Sequence, residues 1–187
     1  MGIFRWIKNM NKNMNKALFL DRDGIINYSI LCHGISQPPK DISEVKIIPG
    51  IEIVLIYAIQ QGFFPIVVTN QPDIARGNQK REIVEEINSY IKSRLPILEF
   101  FVCYHDNQDE CSCRKPKPGL LLSASYKYNI QLSASYMIGD RRTDMLAGRS
   151  VGCETIYVND EDIKSDIATF SVREIYDVID IIGSKNV

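Results

Sequence analysis

The sequence predicts an α/β fold, a Rossmann-like parallel sheet with helices on both faces. Two observations lead there. Short apolar runs such as ALFLD (17–21), FFPIVVTN (63–70) and TIYV (155–158) are continuous rather than alternating, as expected of strands buried on both sides. Amphipathic stretches of helical length separate them, and strand–helix alternation of this kind builds a parallel sheet covered by its own crossover helices.

The elements follow in order. Residues 1–16, MGIFRWIKNMNKNMNK, are basic and lack both the apolar stretch and the cleavage site of a signal peptide. They are expected to be a disordered leader, with one domain over 17–187. ALFLD is the first strand. The irregular segment 28–48, with Gly34, Pro38 and Pro39, is expected to form a flap or hairpin. Residues 49–61 open on Pro-Gly and continue as a helix closed by Gly62. FFPIVVTN, rich in β-branched residues, is the second strand. Residues 79–95 form the clearest helix, since Ile83, Ile87, Ile91 and Leu95 recur every four positions. LEFFVC (98–103) is a third strand, 119–128 a helix, SYMIGD (135–140) a fourth strand, 143–152 a helix, TIYV a fifth strand and 171–182 a last helix.

Composition narrows the class. The 187 residues suit a single domain. Lys plus Arg number 22 against 23 Asp plus Glu, a balance that asks for neither nucleic acid nor an anionic membrane as partner. No apolar run approaches the ~18 residues of a membrane span. Five cysteines without a secretory signal argue against a disulfide framework and for a reducing, cytoplasmic setting.

Each strand runs into polar residues. The first is followed by Asp21-Arg22-Asp23-Gly24, the second ends on Thr69-Asn70-Gln71, and the third leads to a loop ending in Arg114-Lys115-Pro116. The fourth leads to Gly139-Asp140-Arg141-Arg142-Thr143-Asp144. Ligands of open parallel sheets bind beyond the carboxyl ends of the strands, so these groups converge on one edge. Two carboxylates one residue apart mean either a bland Asp-Gly turn or a metal or catalytic task. Cys103-x-His105 followed by Cys111-x-Cys113 has the three-thiolate, one-imidazole composition of a closed, structural Zn²⁺ site. Cys32 and Cys153 read as small hydrophobes.

These motifs in this order resemble the haloacid dehalogenase (HAD) superfamily of phosphohydrolases. LDRDG matches the D-x-D-G motif, VVTN the Thr motif, Lys115 the lysine, and GDRRTD the G-D-x-x-x-D motif. VVTNQPDIARG, CYHDNQDECSCRKPKPGLLLSA and SYMIGDRRTDMLAG are similar to the branch holding D-glycero-D-manno-heptose 1,7-bisphosphate phosphatase and the histidinol-phosphate phosphatase domain. The resemblance covers about residues 17–158 and implies a HAD fold with little or no cap and a zinc-binding loop. Departures include Ile25 where the family has Thr, and Pro72-Asp73 where it has Ser-Gly.

The resemblance implies that Asp21 attacks phosphorus and Asp23 is general acid and base. Mg²⁺ would be held by Asp21, Asp23 (through its carbonyl) and Asp140. Thr69, Asn70 and Lys115 would bind the phosphoryl group, and Arg114, Arg141 and His33 the rest of the substrate. Asp144 would either hold metal-bound water or cap the helix near Thr143. Cys103, His105, Cys111 and Cys113 would hold the zinc, which places Arg114 and Lys115. The implied substrate is a small phosphorylated sugar, first of all the heptose 1,7-bisphosphate, dephosphorylated at C7 by a monomer without stable membrane association. Histidinol phosphate is the alternative, with Asp41 and Glu44 as carboxylates that could meet its amine. A receiver-like phospho-Asp switch is the non-enzyme reading, and it has no use for Asp23.

Overall fold

The computed structural model describes residues 14–32, 34–159 and 166–184. Its centre is a six-stranded, wholly parallel sheet. The strands, in sequence order, are β1 (Lys16–Leu20), β4 (Phe63–Asn70), β5 (Glu99–Cys103), β6 (Tyr136–Gly139), β7 (Glu154–Val158) and β8 (Phe170–Val172). A separate antiparallel hairpin of β2 (Ile30–Cys32) and β3 (Ile35–Gln37) occupies the expected flap. Between Leu20 and Ile51 the described residues add only a short 3-10 turn, Ile42–Glu44, so no sizeable cap is inserted there.

Spatial order is β5-β4-β1-β6-β7-β8. The chain therefore builds outward from β1 on one side, returns across the sheet, and builds outward on the other. Parallel crossovers are right-handed, so reversing direction moves the helices to the opposite face. Helices α1 (Ile51–Gln60) and α2 (Arg81–Lys92) accordingly pack on one face with α5 (Val178–Gly183). Helices α3 (Gly119–Tyr128) and α4 (Arg142–Ser150) cover the other. Side chains of β1 alternate between these layers: Leu18 and Leu20 join the first core, Ala17 and Phe19 the second, all fully buried. That two-sided burial is why the strand reads as an unbroken apolar run.

Most boundaries lie within a residue or two of expectation. β1 begins at Lys16, and Asn15 bridges to Ile130, so the fold starts slightly before residue 17. Residues 1–13, most of the expected leader, lie outside the described residues. The helix expected over 171–182 is revised. Its first residues belong to β8, which pairs in parallel with β7 through Ile156–Phe170 and Val158–Val172. A 3-10 turn follows over Ile175–Asp177, started where Asp177 Oδ2 accepts the Glu174 N–H at 3.1 Å, and α5 begins only at Val178. A three-residue edge strand carries too little periodicity to separate it from the helix beside it. Among the described residues no helix is long and apolar enough to cross a membrane.

Candidate active site

The reversal at β1 opens a crevice beyond the ends of β1, β4 and β6, where open parallel sheets bind ligands. A cleft of about 270 Å³ lies there, lined by Asp21, Asp23, Thr69, Asn70, Lys115 and Asp144 at the strand ends, by Ser36 and Gln37 of the hairpin, and by Pro38 just after it.

Asp21 follows β1 directly, its N–H bonded to the Ile138 carbonyl of β6 at 3.0 Å. Lys115 Nζ sits 2.9 Å from Asp21 Oδ1 and 2.6 Å from Asp144 Oδ1. Carboxylate oxygens of Asp21, Asp140 and Asp144 lie within 4.8 Å of one another. Lys115 thus serves two of the three carboxylates, and Asp140 has only the Arg141 guanidinium, 4.0 Å away. The imbalance shows in their proton affinities. Burial first, then the charges of Asp21 and Asp144, push Asp140 up to about 7, with Arg141 opposing. Asp144 rises to about 6, because burial and Asp21 outweigh the attraction of Lys115. Burial works against the charge on Lys115, yet Asp144 and Asp21 raise it above its ordinary value.

The residues fit a divalent cation of the magnesium type. The donors are hard oxygens, the carboxylates outnumber the cations beside them, and Asp140 Oδ1 is buried without a hydrogen-bond partner. Gly24 makes room for Asp140. Its φ is +97°, and a Cβ there would lie 2.2 Å from Asp140 Oδ2. Asp144 also caps α4, since its Oδ2 accepts the Arg141 N–H at 3.2 Å. It therefore serves its helix and faces the cluster at once.

Asp23 stands apart from this group. Its Oδ1 accepts Arg22 Nε at 3.2 Å and Asn27 Nδ2 at 2.9 Å; its Oδ2 accepts Arg22 Nη2 at 3.0 Å and Gln71 Nε2 at 2.8 Å. Burial would raise its pKa, but the Arg22 charge and these hydrogen bonds prevail and hold it below the ordinary carboxylate value. Arg22 is wholly buried and passes its remaining reach to Asn88 Oδ1 of α2 at 2.9 Å. The two aspartates of D-x-D therefore have different partners, a lysine for Asp21 and an arginine for Asp23, which makes their proximity tolerable.

Thr69 is buried at the end of β4, its Oγ1 accepting Gln71 Nε2 at 2.9 Å. The Asn70 amide is spent on Lys115: its Nδ2 donates to the Lys115 carbonyl at 3.0 Å and its Oδ1 accepts the Lys115 N–H at 3.1 Å. Its side chain places the lysine. Arg141 lines the cleft, half exposed, with Nε 4.0 Å from Asp140 Oδ1. Arg114 is not among the lining residues. Its guanidinium bonds Asn107 Oδ1 at 2.7 Å and the His105 carbonyl at 3.2 Å. His33 lies outside the described residues. Arg76 was not anticipated; it lines the cleft and reaches Asp106 Oδ1 at 2.7 Å, tying the segment after β4 to the loop after β5.

That loop gathers the cysteines. Cys103, Cys111 and Cys113 sulfurs are 3.1 to 3.7 Å apart, and His105 Nδ1 lies 3.6 Å from Cys103 and 3.3 Å from Cys113. Tetrahedral zinc with bonds of about 2.3 Å to sulfur and 2.0 Å to nitrogen places its ligands roughly 3.5–3.8 Å apart. The set fits Zn²⁺, and no disulfide ties these thiols.

The arrangement has counterparts among known proteins. A HAD-hydrolase-like family model matches residues 112–181. The D-glycero-beta-D-manno-heptose-1,7-bisphosphate 7-phosphatase of Helicobacter pylori is 33% identical over 91% of this chain and 99% of its own. The corresponding alpha-anomer 7-phosphatase of Campylobacter jejuni is 28% identical over 92% and 98%. Among solved structures, a D,D-heptose 1,7-bisphosphate phosphatase from B. bronchiseptica, complexed with magnesium and phosphate, superposes with a TM-score of 0.76 at 22% identity. It covers 91% of this chain and 99% of that one. A sheet that brings an Asp pair, a buried lysine and a carboxylate cradle to one crevice, in a chain alike over its length to these enzymes, identifies a phosphatase of the haloacid dehalogenase superfamily, in the branch that contains the heptose 1,7-bisphosphate 7-phosphatases.

Proposed function

We propose that this chain is a Mg²⁺-dependent phosphomonoesterase that removes the 7-phosphate of D-glycero-D-manno-heptose 1,7-bisphosphate through an aspartyl-phosphate on Asp21. The observation that carries the reading is the carboxylate cluster: Asp21, Asp140 and Asp144 lie within 4.8 Å of one another, and Lys115 pairs with Asp21 and Asp144, the lysine and these two aspartates lining the cleft. Asp21 is the carboxylate there that follows the central strand and also lines the cleft beside Asp23 and Thr69.

Asp21 attacks phosphorus, the bond from phosphorus to the sugar oxygen breaks, and Asp23 gives that oxygen a proton. Asp23 is ionised in the free site, and a dianionic phosphate brought beside it raises its affinity for the proton it must hold. Water then attacks the aspartyl-phosphate and gives a proton to Asp23, the bond between phosphorus and Asp21 breaks, and phosphate leaves with Asp21 restored. Thr69 donates its hydroxyl hydrogen to a phosphoryl oxygen. Lys115, held by Asn70, offsets the charge that grows on those oxygens. Mg²⁺ on Asp21, the Asp23 carbonyl and Asp140 would supply the missing charge that lets a carboxylate approach a phosphate. Zn²⁺ on Cys103, His105, Cys111 and Cys113 would order the loop that delivers Lys115.

The walls favour a sugar over an amine. Asp41 spends its Oδ1 on the Ser43 N–H at 2.7 Å, and Glu44 accepts the Lys40 N–H at 2.7 Å. Neither lines the cleft; of its charged residues beyond those at the strand ends, Arg76 and Arg141 are cationic, and the one carboxylate, Asp73, is paired with Arg76 at 3.5 Å. The names of the full-length relatives point the same way. The test is phosphate release, with Mg²⁺, from both anomers of the heptose bisphosphate, histidinol phosphate and simple hexose phosphates. Highest kcat/KM on a heptose bisphosphate is expected. Preference for histidinol phosphate would overturn the substrate assignment, and activity insensitive to a chelator would overturn the metal.

A further inference from the structure

The side chain of Gln71 has no role in the chemistry above, yet it is buried and touches two groups that do. Its Nε2 donates one hydrogen to Asp23 Oδ2 at 2.8 Å and the other to Thr69 Oγ1 at 2.9 Å. Its N–H is fixed to the Cys103 carbonyl at 2.7 Å, so the residue cannot drift. The amide orientation follows from chemistry: ionised Asp23 only accepts hydrogen bonds, so the nitrogen must face it. An amide nitrogen has two hydrogens, and both are spent.

We infer that Gln71 is a positioning residue that orients Asp23 and sets the direction of the Thr69 hydroxyl. A hydroxyl has one hydrogen to give. Because Thr69 Oγ1 accepts from Gln71, its own hydrogen is left to donate into the cleft, toward a phosphoryl oxygen. Asp23 meanwhile receives four hydrogen bonds, of which Arg22 and Asn27 supply three. Gln71 supplies the fourth and couples the proton-transferring carboxylate to the phosphate donor through a single planar group. Its side-chain amide is therefore built into the site's polarity and is more than filler between β4 and the zinc loop. The inference rests on the reading of Asp23 as general acid given above.

The test compares Gln71→Met, Gln71→Glu and Asp23→Asn with wild type. Met keeps the volume without donors; Glu keeps the shape and reverses the polarity. The readouts are kcat/KM for D-glycero-D-manno-heptose 1,7-bisphosphate and for p-nitrophenyl phosphate, whose leaving group needs no proton, and calorimetric binding of inorganic phosphate with Mg²⁺. Because kcat/KM stops at the loss of the leaving group, it isolates the acid step. Both Gln71 variants should lose at least ~10-fold on the heptose substrate and no more than ~3-fold on p-nitrophenyl phosphate, a partial version of the ~10²-fold loss expected for Asp23→Asn. Gln71→Glu should also weaken phosphate binding by at least ~5-fold, since the Thr69 hydrogen turns to the new carboxylate; Gln71→Met should weaken it less. Equal losses on both substrates, or no loss, with Asp23→Asn still selective, would overturn the role of Gln71 alone. Unselective loss in Asp23→Asn would instead overturn the general-acid reading. If Gln71→Met does not fold by circular dichroism, the Gln71→Glu pattern decides. Unchanged phosphate affinity in that variant refutes the control of Thr69.

Discussion

Gly24→Ala is a one-methyl test of the cation cradle. Gly24 has φ +97°, and an added Cβ would stand 2.2 Å from Asp140 Oδ2 and 2.7 Å from its Cγ. Ordinary contact begins near 3.4 Å, so the carboxylate must retreat by about 1.2 Å, the difference of the two distances. A Mg–O bond of about 2.0–2.1 Å tolerates an error of roughly 0.2 Å. Asp140 is thus lost as a ligand although it remains in the chain. The left-handed backbone adds a strain of about 1–2 kcal/mol. At roughly 2–4 °C per kcal/mol for a chain of this size, melting falls by about 2–8 °C. The assay is Mg²⁺ titration of phosphate release, with melting followed in the same buffers. Half-saturation should rise by at least ~10-fold, and the Mg²⁺-induced rise in melting temperature should shrink in step. A variant that melts lower yet keeps wild-type Mg²⁺ half-saturation would show that Asp140 does not ligate the cation, and the cluster would need another explanation.

Asp21→Asn should keep the fold and abolish turnover, because an amide is a poor nucleophile and loses its pairing with Lys115; phosphate release within tenfold of wild type would refute covalent catalysis at this residue. Protein purified without chelator should hold one Zn²⁺ per chain by elemental analysis, and Cys111→Ser combined with Cys113→Ser should remove it; unchanged zinc would place the metal elsewhere. Arg22→Met should reduce unfolding free energy by roughly 3–5 kcal/mol in denaturant titration, since it strands buried Asp23 and Asn88 without their partner; a loss under 1 kcal/mol would mean Asp23 is paired well enough by Asn27 and Gln71.

Much of this protein was legible in its residues. Strands buried on both faces must be apolar throughout, so β1 and β4 announce themselves, and α2 shows the four-residue period of a helix with one buried side. The convergence of Asp21, Thr69, Lys115 and Asp140 was also readable, because the end of a parallel strand is a fixed place in such a sheet. What the chain order does not contain is which neighbour each polar side chain chooses. Arg22 looks like a surface charge between two acids; only the packing of α2 on this face of the sheet gives it Asn88 and makes it the wholly buried partner of Asp23. Arg114 looks like a substrate ligand, and the folded loop turns it back onto Asn107 and the His105 carbonyl. Asn70 looks like a phosphate donor, and the fold commits its side-chain amide to the backbone of Lys115. Hydrogen bonds act over about 3 Å, and these pairs are separated by 7 to 66 positions of sequence, so their choice belongs to the tertiary fold. The residue types set the chemistry; the crossing of the chain at β1 set the partners.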